Sequence, residues 1–126
     1  MYLLDTSAWI YYLNQQPLSF EHLQQVVTCP IVIQEVLQGI RDEKKYKIIK
    51  AGLLALPCFP VELDLSYHIR AADIYRLGRK KGYTIRSSND CLIASIALEY
   101  SLTVMHIDRD FDILSNFTNL SAVRNF

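Results

Sequence analysis

The stretch Ser88-Asn89-Asp90-Cys91-Leu92-Ile93-Ala94-Ser95-Ile96-Ala97-Leu98-Glu99-Tyr100, followed after Ser101-Leu102 by Thr103-Val104-Met105-His106-Ile107, decides the fold class. The first segment has neither Gly nor Pro and is long enough for about three helical turns. Cys91, Leu92, Ile93, Ala94, Ile96, Ala97 and Leu98 leave it apolar nearly all round, which suits a helix buried in the middle of a domain. The second segment is short, apolar and rich in β-branched residues, as a buried strand is. Working outward, Tyr2-Leu3-Leu4 reads as another buried strand and Ser121 to Arg124 as a last one. Helices are expected over 7–14, about 19–27, 30–40 with Pro30 at its first position, and from an Asp42 cap to about Leu56. A long helix from an Asp64 or Ser66 cap ends before Gly82, and a short one spans about 109–116. Strands separated by helices pair in parallel through crossover helices. The expectation is a single α/β domain over residues 1–126, a central parallel sheet with helices on both faces.

With 126 residues, 51% of them hydrophobic and 21% charged, the chain carries enough apolar mass for one self-sufficient core. Thirteen basic and thirteen acidic residues cancel, which excludes a polycation but leaves room for a local basic face. Cys29, Cys58 and Cys91 are odd in number and form no CxxC, so a disulfide scaffold or zinc ribbon is excluded and a reducing cytoplasm is expected. No apolar run approaches the ~20 residues of a membrane span, so no membrane association is expected.

The carboxylates carry the chemistry. Asp5 and Asp108 each follow a strand, at the carboxyl edge where parallel sheets meet their ligands, although each could equally cap the next helix. Asp90 sits in the first turn of the buried helix, with Ile93, Ala94 and Ala97 along its face; an unpaired carboxylate aimed that way is costly unless a positive partner meets it. Glu35 borders the stripe formed by Val32, Ile33, Val36, Leu37 and Ile40, where a solvated rim glutamate is the ordinary explanation. Asp110 and Asp112 read as first-turn charge on a helix dipole. Asp108 to Asp112 imitates a calcium loop, but Ile113 and Asn119 stand where such a loop needs Gly and Glu, and calcium is rejected. Carboxylates converging on one sheet edge raise each other's pKa, and hard oxygen donors suit Mg2+ or Mn2+. A pair of such ions is a standard clamp for phosphodiester cleavage.

Tyr2-Leu3-Leu4-Asp5-Thr6-Ser7, Ile33-Gln34-Glu35-Val36-Leu37-Gln38-Gly39, Asn89-Asp90-Cys91-Leu92-Ile93-Ala94 and His106-Ile107-Asp108-Arg109-Asp110-Phe111 resemble the four acidic motifs of PIN-domain ribonucleases. Their order and spacing look most like those of VapC-type toxins of bacterial toxin–antitoxin pairs. The resemblance implies a metal-dependent endoribonuclease with Asp5, Glu35, Asp90 and Asp108 as catalytic and metal-binding acids. It further implies Ser7 and Asp110 as auxiliaries, two Mg2+ or Mn2+ ions with substrate bound, and products with 5′-phosphate and 3′-hydroxyl ends. A cognate antitoxin and a homodimer are its implied partners, and Trp9, Ile10, Tyr11, Tyr12 and Leu13 supply more large apolar groups than one core-facing stripe uses. A non-catalytic RNA- or partner-binding module, or a stand-alone RNA-processing nuclease, is the alternative. A histidine-dependent ribonuclease fits less well, because His22, His68 and His106 fall on separate elements.

Residues 70–86 hold Arg70, Arg76, Arg79, Lys80, Lys81 and Arg86 against the single acid Asp73. A helix C-terminus accounts for Arg79, Lys80 and Lys81, but not for Arg86, four residues before Asp90. Arg79, Lys80, Lys81 and Arg86 are therefore the expected RNA-phosphate contacts, with Lys44, Lys45, Lys47 and Lys50 as a second basic group.

Overall fold

The computed structural model describes residues 1–15 and 17–126. Strands β1 (Tyr2–Leu4), β2 (Val26–Val27), β3 (Thr103–Met105) and β4 (Ser121–Val123) form one sheet in the order β2-β1-β3-β4, with every pair parallel. Leu3 lies at its centre, in register with Val27 on one side and Val104 on the other. Successive strand residues face opposite sides of a sheet. Leu3, Leu4, Val26, Val27, Val104 and Met105 are all at most 1% exposed, so both faces are covered.

The covering helices are α1 (Thr6–Asn14), α2 (Phe20–Leu23), α3 (Pro30–Gln38), α4 (Glu43–Leu54), α5 (Leu65–Lys80), α6 (Ser88–Glu99) and α7 (Arg109–Phe117). The chain steps from β1 to β2 in one direction and from β3 to β4 in the other, so right-handed crossovers set α1 and α7 on opposite faces. Asp90 through Ala97 of α6 are buried without a break, as the sequence implied. Helix α5 packs along α6, and the Tyr67 hydroxyl donates to that of Tyr100 at 2.9 Å. Asp5, Asp42, Asp64 and Asp108 each cap a helix, accepting from the backbone N–H of Ala8, Lys45, Ser66 and Asp110 respectively. Gly82 follows α5 at φ 84°, the left-handed conformation a glycine tolerates best.

Three elements differ from expectation. The helix expected over 19–27 stops at Leu23, and Val26–Val27 form β2 instead. Two β-branched residues lose little by extending, and pairing with Tyr2 and Leu3 satisfies their backbone. Helix α3 ends at Gln38 rather than Ile40, with Gly39 as its cap. Strand β3 ends two residues before Ile107, because β1 leaves the sheet at Asp5 to start α1. No helix among the described residues is long and apolar enough to cross a membrane.

Candidate active site

Asp5 stands where β1 ends. Its N–H donates to the Met105 carbonyl at 3.0 Å, which ties it to the end of β3. Its carboxylate accepts from the Ala8 N–H and the Ser7 hydroxyl, both at 2.8 Å. The Ser7 oxygen in turn accepts from the Ile107 N–H at 3.1 Å, so Ser7 locks Asp5 against the β3 exit. Burial pushes the Asp5 carboxyl up to about 6, opposed by those hydrogen bonds and assisted by the charges of Asp108 and Glu35.

Three further carboxylates meet beside it. Asp108 caps α7, Asp90 opens α6, and Asp110 lies in the first turn of α7 with no exposed surface. One oxygen from each of Asp90, Asp108 and Asp110 lies within 4.8 Å of the other two. Asp110 accepts the backbone N–H groups of Arg86 and Ser87, both at 3.1 Å, which draws the α5–α6 loop onto the start of α7. Burial, the Asp110 side chain beside it and the charges of Asp108, Asp110 and Asp5 push the Asp90 carboxyl up to about 8. The Asp90 Oδ2 is buried without a hydrogen-bond partner. Among the described residues, no Lys or Arg pairs with Asp5, Asp90, Asp108 or Asp110. An orphaned buried oxygen within a cluster of unneutralised carboxylates fits a hard divalent cation.

Asp90 and Asp108 thus come together, and Asp5 lies near enough for its charge to act on Asp90. Glu35 is partly buried at the border, where its Oε1 accepts the Thr6 hydroxyl at 3.0 Å. Thr6 had no assigned part; its place after Asp5, facing α3, is the signal that would have found it. Asp110, expected both as first-turn charge and, by resemblance, as an auxiliary acid, lies in the first turn of α7 and within the cluster, while Asp112 pairs with Arg124. Arg86 reaches the cluster through its backbone. Arg79, Lys80 and Lys81 instead follow Gly78, which packs on Phe117 at the far end of α7. His106 has no exposed surface and its Nε2 lies 3.5 Å from an Asp112 oxygen; burial lowers its pKa, and a ring closed off from solvent does not suit an acid–base residue serving RNA.

A family model for the PIN domain matches residues 2–116. VapC ribonuclease Mb1587 of Mycobacterium bovis and ribonuclease VapC11 of Mycobacterium tuberculosis are each 34% identical to this chain, covering 97% of it and 97% of their own length. The structure of VapBC2 from Rickettsia felis, bound to a promoter DNA fragment, superposes with a TM-score of 0.76 at 20% identity over 97% of this chain and 96% of that one. The third likeness carries the fold; the first two add end-to-end identity that includes the acidic motifs' span. By that match the chain belongs to the PIN-domain family, among the VapC ribonucleases.

Proposed function

We propose that this chain is a divalent-metal-dependent endoribonuclease that acts as the toxin of a toxin–antitoxin pair. The observation that carries the reading is the convergence of Asp90, Asp108 and Asp110 around the orphaned Asp90 oxygen. Those three would hold Mg2+ or Mn2+, with Asp5 and Glu35 bordering the site. A bound divalent ion supplies positive charge against the scissile phosphate and acidifies water at neutral pH. The chain's own part is positional: Ser7 orients Asp5, Thr6 orients Glu35, and the Arg86 and Ser87 amides fix Asp110. Hydrolysis by this route leaves 5′-phosphate and 3′-hydroxyl ends.

The partner reading rests on α1 and the names of the relatives. Ile10 and Leu13 are 50% and 42% exposed beside a recess lined by Val36, Ile40 and Ile49, an apolar surface that suits an antitoxin segment. A homodimer would use a separate surface.

The test is cleavage of single-stranded oligoribonucleotides in Mg2+ or Mn2+, with and without chelator. The native chain is expected to cut and Asp90→Asn to lose at least about a hundredfold in rate, with its fold retained. Equal rates for the two, or products with cyclic phosphates, would overturn the active-site assignment. Co-expression with the product of an adjacent small reading frame is expected to suppress toxicity and to co-purify both chains.

A further inference from the structure

A second recess opens next to the acidic cluster, between α1, α2 and the segment that follows β4. It encloses about 480 Å³, and Tyr11, Tyr12, His22, Ile107, Arg124 and Phe126 are the side chains that give it its character. That volume is in the range of small-ligand sites, and four of the nine lining residues, Tyr11, Tyr12, His22 and Phe126, carry aromatic rings.

The aromatic groups are already assembled. Phe126 stacks on His22 with centroids 4.1 Å apart and planes 3° apart, and it meets Tyr2 edge-on at 5.1 Å. Tyr11 stands edge-on to Tyr12 at 5.3 Å, and the Tyr12 hydroxyl reaches the Met105 sulfur. Because these rings hold one another, a planar guest would order little that is not already ordered. Tyr11 remains 36% exposed, so ring surface is open to a guest.

The recess is also coupled to the acids. Ile107 forms part of its wall, its N–H donates to the Ser7 oxygen that holds Asp5, and Asp108 is the next residue. Arg124 closes the boundary, with its guanidinium on the Asp112 carboxylate and the Ile107 carbonyl. Aromatic rings, a fixed cation and, through Ile107, a chain connection to the acidic cluster match one ligand chemistry. Single-stranded RNA presents splayed bases that stack on aromatic side chains and phosphates that meet arginine.

We propose that this recess is a nucleobase subsite, taking a splayed base of the RNA beside the phosphate held at the acidic cluster, with Arg124 as the cation for that nucleotide's backbone. The subsite rests on the nuclease reading and gives it a means of selecting among sequences. A protein segment fits less well, because His22, Arg124 and Asn125 interrupt the apolar lining that Pro17, Leu18 and Ile107 supply.

The experiment compares cleavage of a short oligoribonucleotide with cleavage of copies that carry an abasic residue at each position flanking the cut. For the native chain, kcat/KM is expected to fall about tenfold or more at one of those positions. Tyr11→Ala and His22→Ala are expected to lose a similar factor on the intact oligonucleotide and to lose nothing further on the abasic copy. Tyr11→Phe, which keeps the ring, is expected to restore native discrimination. Native sensitivity to the abasic residue in both alanine variants would overturn the subsite while RNA cleavage stands. A dimer that Tyr11→Ala dissolves, with base discrimination unchanged, would assign the recess to protein contact and overturn it too. If the native chain cuts no RNA in either metal, the nuclease reading fails. The recess is then judged on the native chain in chelator, by titration with adenosine and uridine monophosphates. Shifts of the Tyr11 and His22 ring resonances would sustain it, and their absence would overturn it. The same titration serves if the alanine variants fail to fold.

Discussion

At Asp90, burial and three neighbouring carboxylates raise the pKa from its ordinary 3.8 to about 8, so the folded chain without metal holds a proton that the unfolded chain releases. Such a group stabilises the fold fully below pH 3.8, and that stabilisation drains away as pH rises towards 8. Each pH unit across the window removes up to about 1.4 kcal/mol. Melts in chelator are therefore expected to fall between pH 5 and pH 8.5, and Asp90→Asn, which never ionises, is expected to flatten that fall and melt higher at pH 8. Parallel profiles for the two proteins would show that Asp90 is not protonated in the metal-free fold. Asp110 separates a structural from a metal-holding role. Asp110→Ala removes the acceptor of the part-buried Arg86 and Ser87 amides, at about 1 kcal/mol for each hydrogen bond lost. Asp110→Asn keeps an acceptor oxygen and is expected to fold near the native temperature, yet to lose the melting increase that millimolar Mn2+ gives the native chain. A full Mn2+ response in Asp110→Asn would remove Asp110 from the ligand set. At this scale Asp5, Asp90 and Asp108 were legible because a strand end or a buried helix start marks them. Asp110 entered only as an auxiliary implied by the family resemblance, because its burial depends on amides 23 and 24 residues earlier in the chain.

Elements were legible where the chain punctuates itself. Asp42 and Asp64 each announce a helix by capping it, and Pro30 and Gly82 mark a start and a stop. Strand β2 carries no such mark; two valines become a strand only because β1 lies alongside them, which is a tertiary fact. Glycines within helices show the same division between local and tertiary causes. Nothing lies within 4 Å of a Cβ built on Gly52 in α4, so Gly52→Ala should recover helix propensity alone, about 0.8–1 kcal/mol. That is a rise of about 3 °C or more in melting temperature for a domain of this size. At Gly78 in α5 a Cβ would stand 2.8 Å from the Phe117 ring, which Tyr83 backs at 5.3 Å and so keeps from swinging aside. Gly78→Ala is expected to lower the melting temperature despite the better propensity, and to raise it in a Phe117→Leu background where the ring is gone. Additive effects of the two substitutions would show that Gly78 and Phe117 do not press on each other.

The molecule as a whole is neutral, but its charges are sorted. Asp5, Asp90, Asp108 and Asp110 gather without a basic partner at the carboxyl edge of the sheet, while the basic excess of residues 70–86 lies along α5 and the loop after it. Arg70 pairs with Glu99 and Arg76 with Asp73, which leaves Arg79, Lys80, Lys81 and Arg86 without an acidic partner among the described residues. The Arg86 amide touches Asp110, while Gly78, just before Arg79, packs on Phe117; the seven helical steps from Asp110 to Phe117 span about 10 Å. The cations thus run from the acidic edge along the α7 side, opposite the face that α1 covers. A phosphate backbone brought to four carboxylates is repelled unless cations meet it on the way, and we propose these four for that part. Binding of single-stranded RNA is accordingly expected to weaken with salt. Each phosphate contact contributes about 0.7 to the log–log slope, and the quadruple variant with Ala at 79, 80, 81 and 86 is expected to lose up to about 2.8 of it. The loss should be uniform across RNA sequences, whereas a change at Tyr11 or His22 should depend on the base beside the cut. The measurement is affinity against salt in chelator for several oligoribonucleotides. A quadruple variant with native affinity and native slope would move the RNA path to Lys44, Lys45, Lys47 and Lys50 on α4.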